Sequence, residues 1–398
     1  MSNNKVPRNE YYPFLDGFRA IAIFLILAHH MRRSLDLDHL VKNSAVLEWV
    51  YKVMLNLFNI DLTDGYVWLQ KTIWRTKGVL GVEMFFVMSG FLITRILLKG
   101  ADKHSSFKWF YLRRCLRIYP AYAVMVLLSL AIYCWVNPQP LTGMLDTALK
   151  YLLFLQNYSI RNPFLEHTWS LVVTEQFYLI APVVVVIVYA CWSSSRARRN
   201  VLIGLCLLFM ILVPMVRILF LTTGRPLVSW PYESPFPFLT TMFHLGPIVF
   251  GCLLALLEPY LQRWEKNVWW GCVFWITGMS LFMYLSFDKY WDYFVGEWYL
   301  YTLGYWASGF LIIAAYHGVS LLARLKVVQW VGRNSYGIYL WHYLPLYFWA
   351  LWLVKLSPLL VMFLFLVSSL ILGVISTNTL ERYFLQLREK LAPKSSRN

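Results

Sequence analysis

Charge is what this 398-residue chain has least of: 14% of its residues are Asp, Glu, Lys or Arg, with 20 acidic against 36 basic. A soluble globular domain carries about 25% charged and roughly 45–50% apolar residues, whereas here 59% are hydrophobic and 18% aromatic. That balance excludes an ordinary water-soluble domain. It also excludes disorder, because apolar surface is in excess. Cysteine is sparse as well. The six (Cys115, Cys134, Cys191, Cys206, Cys252 and Cys272) include no CxxC pair, so there is no disulfide framework and no expected metal site. Repeats, low-complexity tracts and Gly/Ser linkers are lacking too, and the chain reads as a single domain over 1–398 with no appended soluble domain.

What the sequence has in place of charge is long apolar runs. A transmembrane helix needs about 20 mostly apolar residues, and ten stretches qualify, near 13–31, 79–98, 119–136, 168–192, 201–221, 238–257, 268–287, 298–317, 335–354 and 358–380. The expected fold is therefore all-α, a polytopic membrane bundle of about ten helices in a lipid bilayer. An even number puts both termini on one side. The connecting segments on that side carry 22 Lys/Arg and those on the other carry 12, so both termini are expected in the cytoplasm.

This orientation accounts for most of the net charge of +16 without a nucleic-acid partner. The N-terminal apolar run is expected to stay in the mature protein, since no small-residue cleavage site follows it. Two exterior segments, 32–78 and 137–167, are long. They contain LEWVYKVMLNLFNI (47–60) and LKYLLFLQN (149–157), which read as interfacial pieces or as walls of an exterior acceptor site.

Ionisable groups at membrane depth are costly and are candidates for function. On the first span, Arg19 and His30 are eleven residues apart, within about 20° of a whole number of turns, and Asp16 lies on the same face. His29 is about 80° away from Arg19. On the fourth span, Glu175 enters the bilayer beside Gln176, with His167 and Trp169 at the exterior mouth. Glu83 and Ser89 lie in GVEMFFVMSGFLI (81–93), where Ser89-Gly90 reads either as a close-packing pair or as chemistry. His342 in SYGIYLWH (335–342) is equally readable as a core or a supporting residue. Arg113, Arg114 and Arg117 can converge on one anion from a helix or act as a positive-inside anchor.

Taken together, FLDGFRAIA with His30 beyond it, GVEMFFVMSGFLI, FYLRRCLRIYP, HTWSLVVTEQFYL, SYGIYLWH and the Glu381-Arg382 pair resemble acyltransferase family 3, the membrane-bound O-acyltransferases. The resemblance implies a bacterial inner-membrane enzyme, without a permanently bound cofactor, that transfers an acyl group from acyl-CoA, most often acetyl-CoA. The implied acceptor is a hydroxyl of a surface carbohydrate or glycolipid such as O-antigen, exopolysaccharide or peptidoglycan. It maps the family's essential Arg and His onto Arg19 and His30, and its RxxR motif onto Arg114 and Arg117. Relatives commonly read WSLxVEEQFY; here Thr174 stands at the first acidic position, leaving Glu175.

The expected catalytic set is His30, Arg19, Asp16 and Glu175, with Arg113, Arg114 and Arg117 for acyl-CoA. His167, Trp169, Glu83, Ser89 and His342 are expected in support, and Glu175, His167 and Trp169 at the acceptor end. His30 is the expected general base; direct transfer and an acyl-histidine intermediate both fit. The alternative from another class is a transporter of a polar or sugar-containing substrate, which also needs charged groups in the membrane.

Overall fold

The computed structural model describes residues 12–34, 77–102, 107–136, 140–158, 162–223, 241–263, 267–287, 298–350 and 358–391. Every regular element among them is helical. In chain order the α-helices are α1 (Pro13–Ser34), α2 (Lys77–Asp102), α3 (Phe107–Val136), α4 (Leu141–Leu152), α5 (Trp169–Cys191), α6 (Ser195–Thr223), α7 (Thr241–Arg263) and α8 (Val268–Phe287). There follow α9 (Trp298–Tyr316), α10 (Lys326–Arg333), α11 (Ser335–Trp341), α12 (Tyr343–Ala350), α13 (Pro358–Ser376) and α14 (Arg382–Leu391). Among the described residues eight helices are long and apolar enough to cross a bilayer. The protein is an all-α polytopic membrane protein.

Several boundaries differ from the sequence-based expectation. The third span was expected from 119, but α3 starts at Phe107 and runs for 30 residues, about 45 Å. Its first three turns carry the Arg cluster out of the apolar layer as helix, because Lys108 to Arg117 keep good helix formers where hydropathy falls. The ninth expected span is two short helices, α11 and α12, that meet at His342. The last span continues through a π-helical turn, Thr377–Glu381, into the polar α14. The LKYLLFLQN stretch is split: α4 ends at Leu152, and Gln156–Tyr158 form a 3-10 turn. The 47–60 segment lies outside the described residues.

Lipid tails are as apolar as Leu, so helices in a bilayer associate through close van der Waals packing and polar contacts rather than hydrophobic transfer. The crossing of α2 and α7 shows this. A Cβ on Gly90 would lie 1.9 Å from the carbonyl oxygen of Ile248, and one on Gly251 would lie 2.0 Å from that of Val87. Each glycine thus receives the backbone of the other helix. Around the crossing, Val87, Phe91 and Ile248 are fully buried.

The ends of four helices are joined by one carboxylate. Glu258 near the end of α7 is ion-paired to Arg95 of α2 at 2.7 Å. It also accepts hydrogen bonds from the hydroxyls of Tyr12 at 2.7 Å and Tyr316 at 2.8 Å. The Arg95 guanidinium lies 4.5 Å from the Tyr12 ring centroid. Tyr12 precedes α1 and Tyr316 ends α9, so ends that a strictly alternating topology assigns to one side do meet at one level.

Candidate functional site

Beside this junction a cavity opens between α1, α2, α3, α5 and α10. Its outer part has a volume of about 480 Å³ and is lined by Tyr12, Asp16, Arg19, Ile96 and Arg333, among others. Its inner part, about 170 Å³, continues past Arg19, Arg114 and Arg117 to Ile26, Phe86, Ser170 and Tyr339. Arg19, Ser89, Arg114, Arg117, Tyr178 and Arg333 line both parts. The cavity is on the side that the Lys/Arg bias assigns to the cytoplasm.

Each cation has a local reason for its position. Asp16 and Arg19, one turn apart on α1, form an ion pair at 2.7 Å that leaves the guanidinium partly exposed to the cavity. Arg114 and Arg117 are neighbours at i, i+3 on α3, and the Arg114 guanidinium lies 4.9 Å from the Tyr178 ring centroid. Arg333 closes α10, which packs so tightly on α1 that a Cβ on Gly332 would fall 1.7 Å from the carbonyl oxygen of Asp16. Two further carboxylates line the inner part, Glu175 and Glu381. Glu381 ends the π-helical turn and accepts a hydrogen bond from Thr377 at 3.0 Å. π-Helical turns place one extra residue in a turn and recur at functional sites.

One turn above Ile26 on α1 is His30. Its Nδ1 lies 2.9 Å from Nε2 of His342, and the two rings are edge to edge, their planes 22° apart and their centroids 5.0 Å apart. His342 Nδ1 is 2.6 Å from the Tyr339 carbonyl, and His167 Nε2 is 3.1 Å from the Leu340 carbonyl. The last turn of a helix leaves carbonyls without intrahelical partners, and here two imidazoles bind those of α11. Tyr343 stacks on His167 at 4.3 Å and meets the His30 ring edge-on at 4.9 Å. The Tyr339 hydroxyl donates to the His167 carbonyl, and the Ser170 hydroxyl is 2.8 Å from the Tyr339 oxygen. Although three histidines share this region, no group of three or more His, Cys, Asp or Glu among the described residues could hold a metal ion.

Several expected site residues stand apart from this arrangement. Arg113 does not join Arg114 and Arg117; its side chain turns back along α3 and donates to the Trp109 carbonyl at 3.1 Å. Glu175, expected at the acceptor end, lines the same recess as the arginines. Trp169 packs against His244, with ring centroids 4.7 Å apart. Glu83 is buried away from the cavity, with Arg217 as the opposite charge acting on it. His29, off the Arg19 face, lies against Gly78. Ser89 lines the cavity while its neighbour Gly90 makes the helix crossing.

Sequence reading passed over Arg333, which lies in a segment scored only as a connector. It also passed over Arg217, Arg95 and Glu258, although Arg217 lies inside an expected span and was visible by the same rule that found Arg19. Tyr339 and Ser170 carried no charge to draw notice.

A family model described as an acyltransferase domain matches residues 12–378. The peptidoglycan O-acetyltransferase OatA of Listeria monocytogenes is 27% identical over 365 residues, covering 84% of this chain and 49% of the relative. The putative peptidoglycan O-acetyltransferase YrhL of Bacillus subtilis is 28% identical over 364 residues, covering 85% and 49%. The O-acetyltransferase OatA of Staphylococcus aureus is 26% identical over 357 residues, covering 84% and 50%. The chain spans about half the length of these curated relatives. No solved structure matches it. Matched from Tyr12 before its first helix to Asn378 within the π-helical turn, the chain belongs to the acyltransferase 3 family.

Proposed function

We propose that this protein is a membrane O-acyltransferase that moves an acetyl group from acyl-CoA, supplied at the cytoplasmic face, to a hydroxyl of a cell-surface carbohydrate. The observation that carries this reading is a cavity lined by Arg19, Arg114, Arg117 and Arg333 that ends one helical turn short of His30 on α1. Guanidinium groups bind phosphate in forked geometry, so the phosphates of the donor belong among these arginines. From Arg19 to His30 the rise along α1 is about 16 Å. The pantetheine arm has the reach of roughly four to five extended residues, about 14–17 Å, and so places the thioester near His30.

The acceptor hydroxyl gives its proton to His30 as its oxygen attacks the thioester carbonyl. The carbon–sulfur bond breaks, and the departing thiolate takes the proton back from His30. Asp16 holds Arg19 toward the donor, and Glu175 sets a counter-charge beside Arg114 and Arg117. An acyl-histidine route uses the same residues. Since the Listeria and Bacillus relatives are named for peptidoglycan, that polymer is the first acceptor to test, ahead of O-antigen and exopolysaccharide, and a bacterial inner membrane is the setting it implies.

The test is CoA release from acetyl-CoA by purified protein in lipid, with and without glycan strands, beside His30→Ala. Release that needs His30 and quickens with one glycan supports the reading. Undiminished release by His30→Ala removes His30 as the base, and no release from folded protein with any acyl-CoA overturns the transferase.

A further inference from the structure

The two ring nitrogens of a histidine are not equivalent, and the hydrogen bond made by one decides the role of the other. A backbone carbonyl only accepts. His342 Nδ1, 2.6 Å from the Tyr339 carbonyl, must therefore carry a proton. In a neutral imidazole that leaves His342 Nε2 as an acceptor. Nε2 lies 2.9 Å from His30 Nδ1, so the proton between the two rings belongs to His30. The lone pair of neutral His30 is then on Nε2.

We propose that His342 is a positioning residue that fixes the tautomer and ring orientation of His30, so that Nε2 of His30 receives the acceptor proton. This rests on the reading of His30 as the base. His342 is fully buried and works only through His30. It does for His30 what a buried carboxylate does for the histidine of a Ser-His-Asp triad, which is to select the tautomer that leaves the other ring nitrogen basic.

The surrounding geometry supports this division of labour. The His30 and His342 rings lie edge to edge, within 22° of coplanar, as an in-plane N–H···N bond requires, and the Tyr343 ring meets His30 at 78°. When His30 Nε2 takes a proton, its Nδ1–H still points at a lone pair of His342, so the imidazolium forms without a change at the partner. His342 is itself anchored by the last turn of α11, whose carbonyl end favours positive charge nearby. His167 obeys the same rule: its Nε2 faces the Leu340 carbonyl at 3.1 Å, so its proton is committed there. The Tyr339 hydroxyl, bonded to the His167 carbonyl, ties the two anchors together.

Two replacements separate the two bonds of His342. In His342→Gln the amide oxygen reaches the former Nε2 position and accepts from His30. In His342→Asn the shorter amide reaches the Tyr339 carbonyl but leaves His30 Nδ1 without its acceptor. The expected result is that His342→Asn loses about 10²-fold or more in kcat with little change in the KM for acetyl-CoA, while His342→Gln stays within about tenfold of wild type. Equal losses in both folded variants, or full activity in His342→Asn, would overturn the proposal.

A second measurement is independent of turnover: ¹⁵N NMR of histidine-labelled wild-type protein in lipid. It should show His30 protonated at Nδ1, and in His342→Asn a shift toward Nε2 protonation. Wild-type His30 protonated at Nε2 alone would refute the positioning role even if CoA is released. A Nδ1-protonated His30 in a protein that releases no CoA would instead remove the transferase reading and leave the positioning intact.

Discussion

The carbonyl oxygen of Asp16 occupies the place where Gly332 would otherwise carry a side chain, so α10 meets α1 backbone to backbone at the level of the Asp16–Arg19 ion pair. Gly332→Ala should therefore push α10 away from α1 and withdraw the adjacent Arg333 from the cavity. Overpacking of this kind costs about 1–3 kcal/mol. Thermal unfolding in detergent should register that loss, and the KM for acetyl-CoA should rise beyond what the loss of folded protein explains. An unchanged KM would place Arg333 outside donor binding.

Removing one arginine at a time distinguishes the cavity from the basic surface around it. A hydrogen bond to a charged group contributes about 1.5–3 kcal/mol, so Arg114→Ala and Arg117→Ala should each weaken acyl-CoA binding by roughly 10- to 100-fold. Arg113→Ala should leave it within about twofold, because its guanidinium is turned toward the Trp109 carbonyl and its contribution is that of an exposed charge. Titration of CoA against each variant at low and physiological salt is the check.

Glu258 gathers Arg95, Tyr12 and Tyr316 at one point. Removing one partner of a buried ion pair costs about 3–5 kcal/mol, whereas replacing both by apolar residues of similar volume is often nearly neutral. Glu258→Gln should thus be strongly destabilising, and Arg95→Met with Glu258→Leu less so. Unfolding midpoints for Arg95→Met, Glu258→Leu and the double variant would settle this; additive losses would mean that the pair acts as two separate anchors.

Neighbouring Ser89 and Gly90 should respond in opposite ways. Gly90→Ala has no room beside the Ile248 carbonyl and should lower stability by about 1–3 kcal/mol. Ser89→Ala faces open cavity, and its effect on stability should stay within about 0.5 kcal/mol. Melting curves of both variants decide it, and equal destabilisation would contradict the assignment of close packing to Gly90 alone.

The bundle was legible in the sequence wherever a long apolar run coincided with a whole helix, as in α1, α2 and α7. The face shared by Asp16, Arg19 and His30 was legible too, because a single helix fixes relative phase over eleven residues. The position of Glu175 was not. Depth along α5 can be counted, but whether a residue at that depth meets arginines or sugars depends on which helices stand beside it. Nor could hydropathy show that the ninth run breaks at His342, since a break within an apolar stretch leaves its average unchanged. Arg113 shows the limit of helical periodicity, which brings Cα positions together but does not say where a long side chain goes.

The π-helical turn at Thr377–Glu381 amounts to one residue more than an α-helix would hold over the same length. Deleting a single residue there would remove the bulge and let α13 and α14 run on as one regular helix in nearly their present register. A deletion within the regular α13, by contrast, would turn everything beyond it by about 100° and carry Glu381 off the wall of the cavity. The turn thus absorbs a change of chain length that a regular helix passes on to everything after it.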